Sequence, residues 1–288
     1  MLYTPGANTR ALDAGRRVRA DALIFDLEDA VSPAAKIEAR ELVCSAIADG
    51  GYGARTIVIR LNGIGTAWHE DDLHAAADAG PDAILVPKVG TAADVLQVET
   101  ALGCAGARAH TRVWAMLETP RAILNAAEIG GCSERLTVLV MGTNDLANEL
   151  SALSTDTRQP LLTSLSLCLL AARAAGKTIL DGVYNDISDA DGFEAECRHG
   201  RRLGFDGKTL IHPNQVEICN RVFSPSQDEI NHARRVIEAH EDAARNKIGV
   251  AVVDGRLVEN LHVAHARRIL SAAFDDGIAG QTDADGGL

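Results

Sequence analysis

Eight short apolar runs recur along residues 1–212, at 2–4, 22–26, 56–61, 83–88, 112–118, 136–142, 177–182 and 207–212. Runs such as ALIFD and TIVIRL are apolar on successive rather than alternate residues, the pattern of strands covered on both faces. Between them, at 33–47, 67–79, 91–102, 120–129, 160–175 and 189–203, Ala, Leu, Arg and Glu follow helical spacing. Strands alternating with helices predict a parallel sheet. Eight of them, in a chain near the ~250 residues usual for a closed barrel, predict a (β/α)8 fold, the TIM barrel. A doubly wound open sheet is the alternative, but no G-x-G-x-x-G follows the first strand.

Beyond the eighth run the pattern changes. Ser226 is placed to cap a long helix over 227–246. Asp254-Gly255 marks a hairpin within 248–260, and a last helix is expected over 263–274. The reading is a barrel over 1–226 with a C-terminal helical and hairpin extension over 227–274. The Gly/Asp-rich 275–288 has little to bury and reads as a disordered tail.

Composition narrows the function classes. Hydrophobic residues make up 47% and charged residues 24%, ordinary for a globular enzyme-sized domain. A net charge of −12 argues against nucleic acid or an anionic membrane as partner. No run is long enough to span a bilayer, and the N-terminus lacks the pattern of a secretory signal. The six cysteines are scattered with no C-x-x-C pair, which fits a reducing cytoplasm and not a thiolate metal site.

The chemistry gathers where apolar runs end. In parallel α/β folds ligands bind at the carboxyl ends of the strands, and here those ends carry acids: Asp26, Glu28 and Asp29, then Glu118, then Asp145. Clustered carboxylates repel unless a cation sits among them, and Mg²⁺ suits a site with few protein ligands and several waters. Helix capping is the other reading of Glu118 and Asp145, and a solvated acidic loop that of 26–29. Alternation sends Asp26 and Glu28 to one side and Leu27 and Asp29 to the other. Arg60 ends an apolar strand, where it either holds a carboxylate or developing enolate or forms a structural ion pair. Lys88 and Lys208 stand similarly; a Schiff-base lysine is disfavoured by so acidic a site. His212 reads as a packing or hydrogen-bonding residue.

Taken in order, TPG (4–6), DLEDAV (26–31) with Lys36 and Arg40, VIRLNG (58–63) with Trp68 and Asp72, VPKV (86–89), LETP (117–120), MGTNDLA (141–147) and GFDGKTLIHPNQV (204–216) followed by FSPS (223–226) form a set. The set resembles the citrate lyase β-subunit-like CoA-ester lyases of the HpcH/HpaI aldolase superfamily, from about residue 2 to about 272. The resemblance implies a Mg²⁺ (or Mn²⁺) dependent barrel that reversibly cleaves a 3-hydroxyacyl-CoA, of malyl-CoA or citramalyl-CoA type, to acetyl-CoA and an α-keto acid. It implies metal ligation by Glu118 and Asp145, metal-bound waters near Glu28 and Asp29, and thioester or enolate contact by Arg60. It also implies keto-acid contact by the backbone of Gly142, Thr143 and Asn144. A homotrimer or hexamer is implied, with a C-terminal carboxylate from a neighbouring subunit as acid/base. Two positions depart from the pattern: DGRLVEN (254–260) places Glu259 where Asp is commoner, and Ala14 stands where a CoA-contacting lysine is expected, with Arg16 and Arg17 close by. Thioester hydrolysis, an aldolase using free aldehydes, and a citrate lyase-like subunit serving an acyl-carrier protein are the alternatives.

Overall fold

The computed structural model describes residues 1–153, 157–246 and 249–275. It divides into two compact units, Met1–Asn220 and a second beginning at Arg221. In the first, β1 (Leu2–Pro5), β2 (Ala22–Asp26), β3 (Thr56–Arg60), β4 (Ala83–Val86), β5 (Arg112–Leu117), β6 (Leu136–Met141), β7 (Thr178–Asp181) and β8 (Gly207–Lys208) form one sheet in sequence order. Each strand runs parallel to the next. A parallel bridge between Leu2 and Leu210 joins the two edges, with the Tyr3 N–H donating to the Leu210 carbonyl and the Leu210 N–H to the Met1 carbonyl, both at 2.8 Å. Every strand edge is thereby paired, and the sheet is the expected (β/α)8 barrel.

Successive strand residues face the barrel interior and the helices in turn. Ala22 and Ile24, Val58, Ala83 and Leu85, Trp114 and Met116, Val138 and Val140, and Leu180 pack together as the interior cluster. Their alternates, such as Leu23, Phe25, Ile57 and Ile84, are buried as well, against the helical layer. This double burial is why the strands read as unbroken apolar runs.

Element ends differ from the sequence expectation for local reasons. β4 stops at Val86, because Lys88 takes a left-handed backbone (φ 54°) that no ladder accommodates. β8 has two residues and only the Leu210 bridge beyond them. The segment 120–129 is two short helices, Pro120–Leu124 and Ala126–Gly131, broken at Asn125, which is non-helical and caps nothing with its side chain. The helices Thr9–Gly15 and Thr143–Glu149 are too short to show a periodicity.

The second unit has its own apolar cluster, including Ala233, Val236, Val253, Val258, Val263 and Ala266. The helix Gln227–Arg245 opens on a reciprocal cap: Ser226 accepts from the Glu229 N–H, and the Glu229 carboxylate accepts from the Ser226 N–H. β9 (Ala251–Val253) and β10 (Arg256–Val258) form the hairpin expected from Asp254-Gly255, both of which take positive φ (51° and 75°) as a two-residue primed turn requires. The last helix, Asn260–Asp275, starts three residues before its expected onset at 263. The tail beyond Asp275 lies outside the described residues.

Candidate active site

The site is the next layer of the barrel interior above its apolar filling. Carrying the alternation one step further places Asp26 above Ile24, Arg60 above Val58, Glu118 above Met116 and Gly142 above Val140. Ladder register sets Asp26 opposite Arg60 on neighbouring strands. Arg60 Nε and Nη2 donate to the two Asp26 carboxylate oxygens at 2.7 Å each, a fork-to-fork pair. The guanidinium lies over the Tyr3 ring at 4.8 Å. Its remaining nitrogen, Nη1, is 3.0 Å from Glu28 and 3.6 Å from Asp29.

Beyond β2 the chain turns on Asp26, whose carboxylate accepts the backbone N–H groups of Glu28 (2.8 Å) and Ala30 (3.0 Å). Lys36, buried, reaches back from its helix to donate to the Leu27 and Glu28 carbonyls at 2.8 and 2.7 Å. This corrects the alternation expected for 26–29: strand geometry ends at Asp26, and the turn brings Asp26, Glu28 and Asp29 all to Arg60.

Across the barrel mouth Glu118 is 1% exposed. Its Oε1 accepts the Lys88 backbone N–H at 2.7 Å, while its Oε2 has no hydrogen-bond partner. Gly142 makes this position possible, since a Cβ there would lie 2.3 Å from Glu118 Oε2. Asp145, partly exposed, sits in the first turn of Thr143–Glu149, and the Lys88 ammonium stands 3.7 Å from it and 3.5 Å from Glu28. Glu118 caps no helix, because Thr119 does so through its own hydroxyl.

Electrostatics follow from burial and crowding. Burial pushes Glu118 up to about 8, reinforced by the Glu28 and Asp145 charges. Burial also raises Glu28, against the pull of Arg60. Asp26 is pushed up by burial as well, but the Arg60 charge and hydrogen bonds outweigh it and hold it below the usual carboxylate range. Burial lowers Lys88, but the surrounding carboxylates, Glu28 first, more than offset it and leave it raised.

The donor set suits a hard divalent cation. Glu28 Oε2 and Glu118 Oε2 are buried without a hydrogen-bond partner, the former lying near Arg60 Nη1 but outside bonding geometry. Arg60 already answers the charge at Glu28, whereas the Glu118 oxygen is costly to bury unless a cation meets it. Among the described residues no three His, Cys, Asp or Glu side chains form an all-protein metal cage, so a metal here would draw on water or substrate oxygens, as Mg²⁺ commonly does. A cavity of about 330 Å³ opens beside this set, lined by Tyr3, Arg60, Met116, Gly142, Thr143 and Asp145 among others. Asn144 also lines it and exchanges amide hydrogen bonds with Asn185 at 3.0 and 2.8 Å.

Three candidates lie elsewhere. Lys208 points out of the barrel into a buried ion cluster, 3.2 Å from Asp181 and 2.6 Å from Glu196, with Arg158 2.5 Å from Asp181. His212 Nδ1 accepts the Asn214 N–H at 3.2 Å and so shapes a turn. Glu259 belongs to the second unit, where it is exposed after β10 and its N–H donates to His262 Nδ1 at 2.9 Å. Tyr3 and Met116 were not singled out from the sequence; the period-two inward alternation on β1 and β5 is the signal that finds them.

The family model described as HpcH/HpaI aldolase/citrate lyase matches residues 1–213. A (3S)-malyl-CoA thioesterase of Cereibacter sphaeroides is 52% identical over 273 residues, 95% of this chain and 93% of that protein. Citrate lyase subunit beta of Escherichia coli is 37% identical over 283 residues, 96% and 94% of the two chains. The solved structure of CitE from Mycobacterium tuberculosis in complex with magnesium, acetoacetate and coenzyme A is 30% identical and superposes with a TM-score of 0.75, covering 95% of this chain and 97% of that one. With the barrel, the ordered motifs and this extent of likeness agreeing, the chain is an enzyme of the HpcH/HpaI aldolase/citrate lyase family, akin to its citrate lyase β-like members.

Proposed function

We propose that this enzyme uses Mg²⁺ to process the CoA thioester of a 3-hydroxy dicarboxylic acid of the malyl-CoA class, and that its reaction is hydrolysis to CoA and the free acid. The observation that carries the choice is 52% identity to a (3S)-malyl-CoA thioesterase along nearly the whole of both chains. Glu118 and Asp145 would hold the metal, Glu28 and Asp29 would accept from waters on it, and the backbone at Gly142, Thr143 and Asn144 would meet the substrate carboxylate. Bound Mg²⁺ supplies a hard Lewis acid for the carboxylate and hydroxyl oxygens of the acyl group.

The protein's own groups do the rest. Arg60, its fork spent on Asp26, offers Nη1, which it shares with Glu28 at 3.0 Å, to the thioester oxygen on which negative charge grows. The Tyr3 ring and Met116 crowd the guanidinium and limit water around it. Glu259, delivered from a neighbouring subunit of a homo-oligomer, exchanges the proton: from water in hydrolysis, or with the acetyl carbon in cleavage.

Carbon–carbon cleavage to acetyl-CoA and an α-keto acid is the second reading, favoured by the 37% identity to citrate lyase subunit beta. One experiment separates the two. The purified enzyme is incubated with Mg²⁺ and (3S)-malyl-CoA or citramalyl-CoA, and products are resolved by chromatography. Free malate from the first ester, or citramalate from the second, with CoA thiol supports hydrolysis; acetyl-CoA with glyoxylate or pyruvate replaces it with the lyase reading. Turnover of neither ester overturns both.

A further inference from the structure

Five carboxylates meet at the barrel mouth, those of Asp26, Glu28, Asp29, Glu118 and Asp145, and two of the cations beside them, Arg60 and Lys88, are held very differently. Arg60 is 7% exposed and locked to Asp26 through two bonds of 2.7 Å. Lys88 is held firmly at its backbone, whose N–H donates to Glu118 at 2.7 Å, and more loosely at its ammonium, which donates to Glu28 at 3.5 Å. Its side chain is 46% exposed, and the ammonium stands 3.5 Å from Glu28 and 3.7 Å from Asp145. Settled charge-assisted bonds are about 2.7–2.9 Å long. The ammonium spans two acids, its hydrogen bond to Glu28 Oε1 being long at 3.5 Å, and Glu118 Oε2 has no hydrogen-bond partner.

We propose that Lys88 is a place-holding cation: its ammonium neutralises the metal-binding carboxylates while the site is metal-free and is displaced when the divalent ion enters. This rests on the reading that Glu118 and Asp145 bind Mg²⁺. An ammonium within 3.7 Å of Asp145 and a divalent cation on the same carboxylate repel strongly at such range, so the two compete for one position. The side chain has somewhere to go. Lys88 also lines a cavity of about 510 Å³ beside the site, whose walls include Asp94, Asn62 and Trp68. A flexible four-carbon stem carrying a compact charge suits the exchange, where the rigid fork of an arginine would not. The left-handed backbone at Lys88 (φ 54°) aims the amide at Glu118 whatever the side chain does.

The test is calorimetric titration of Mg²⁺ into substrate-free protein at fixed pH and ionic strength, for wild type, Lys88→Met and Lys88→Arg. Lys88→Met is expected to bind Mg²⁺ about tenfold more tightly than wild type, because the internal competitor is gone. Lys88→Arg, which keeps the charge, is expected to bind no more tightly than wild type. The metal-free Lys88→Met protein is also expected to melt below wild type and to regain the difference in excess Mg²⁺. Lys88→Gln repeats the comparison should the methionine variant misfold. Equal or weaker Mg²⁺ binding by both neutral variants overturns the proposal while leaving the metal reading intact. Absence of Mg²⁺ binding by every protein overturns both.

Discussion

Arg60 and Gly142 show how much of this site hangs on single residues. Arg60 spends two of its three nitrogens on Asp26, and a lysine there keeps the charge but loses the fork. Arg60→Lys is therefore expected to lower kcat about 10²-fold or more with a smaller change in KM, since in the proposed reaction the lost interaction serves developing charge; steady-state kinetics on the thioester checks the split. Gly142 is needed for space, not backbone freedom, because a Cβ would press on Glu118 Oε2 and Cβ at 2.3 and 2.5 Å. Gly142→Ala is expected to weaken Mg²⁺ binding about tenfold or more while far-UV circular dichroism stays unchanged, the cost of misplacing the proposed ligand Glu118.

At the scale of elements, the strand interior is an ordered stack: apolar layers fill the barrel, and the layer above them carries the candidate site. Outside the barrel, β7 and β8 are tied to the helix Ala190–Leu203 by Asp181, Lys208 and Glu196, with Arg158 joining them. Lys208 and Asp181 are almost fully buried, so removing one charge strands the others. Lys208→Met is expected to cost about 3–5 kcal/mol in urea unfolding. Mg²⁺ affinity should be little changed, because Lys208 faces away from the carboxylates at the mouth. The sequence placed Lys208 at a strand end but not on a side of the barrel: β8 is too short for alternation to be read.

For the whole molecule, stability and proton uptake are linked through Glu118, and the proposed metal ligation joins them to Mg²⁺ binding. Its folded value of about 8 lies above the 4.5 of an exposed glutamate. The metal-free fold therefore holds a proton that the unfolded chain releases, and that contribution is present in full at low pH and lost as pH rises through about 8. Metal requires the carboxylate, so binding expels the proton and strengthens with pH. In chelator the Tm is expected to fall between about pH 6 and pH 8.5, and the upward shift on adding Mg²⁺ to grow across the same range. Glu118→Gln should flatten the pH dependence and abolish the Mg²⁺ shift; thermal melts at several pH values decide this.

The sequence by itself determined the barrel. Burial on both faces turns strands into continuous apolar runs, and eight of them between helical segments leave few other architectures. It also showed acids at strand ends, and the ordered motifs pointed to the family. Only the tertiary structure decided which side chains meet. The turn after Asp26 gathers three acids on Arg60, a left-handed Lys88 offers its amide to Glu118, and Lys208 leaves the site altogether. Period-two alternation runs along a strand and stops where the strand stops, whereas contacts across a barrel mouth depend on closure of the ring and on loops whose paths have no period to read.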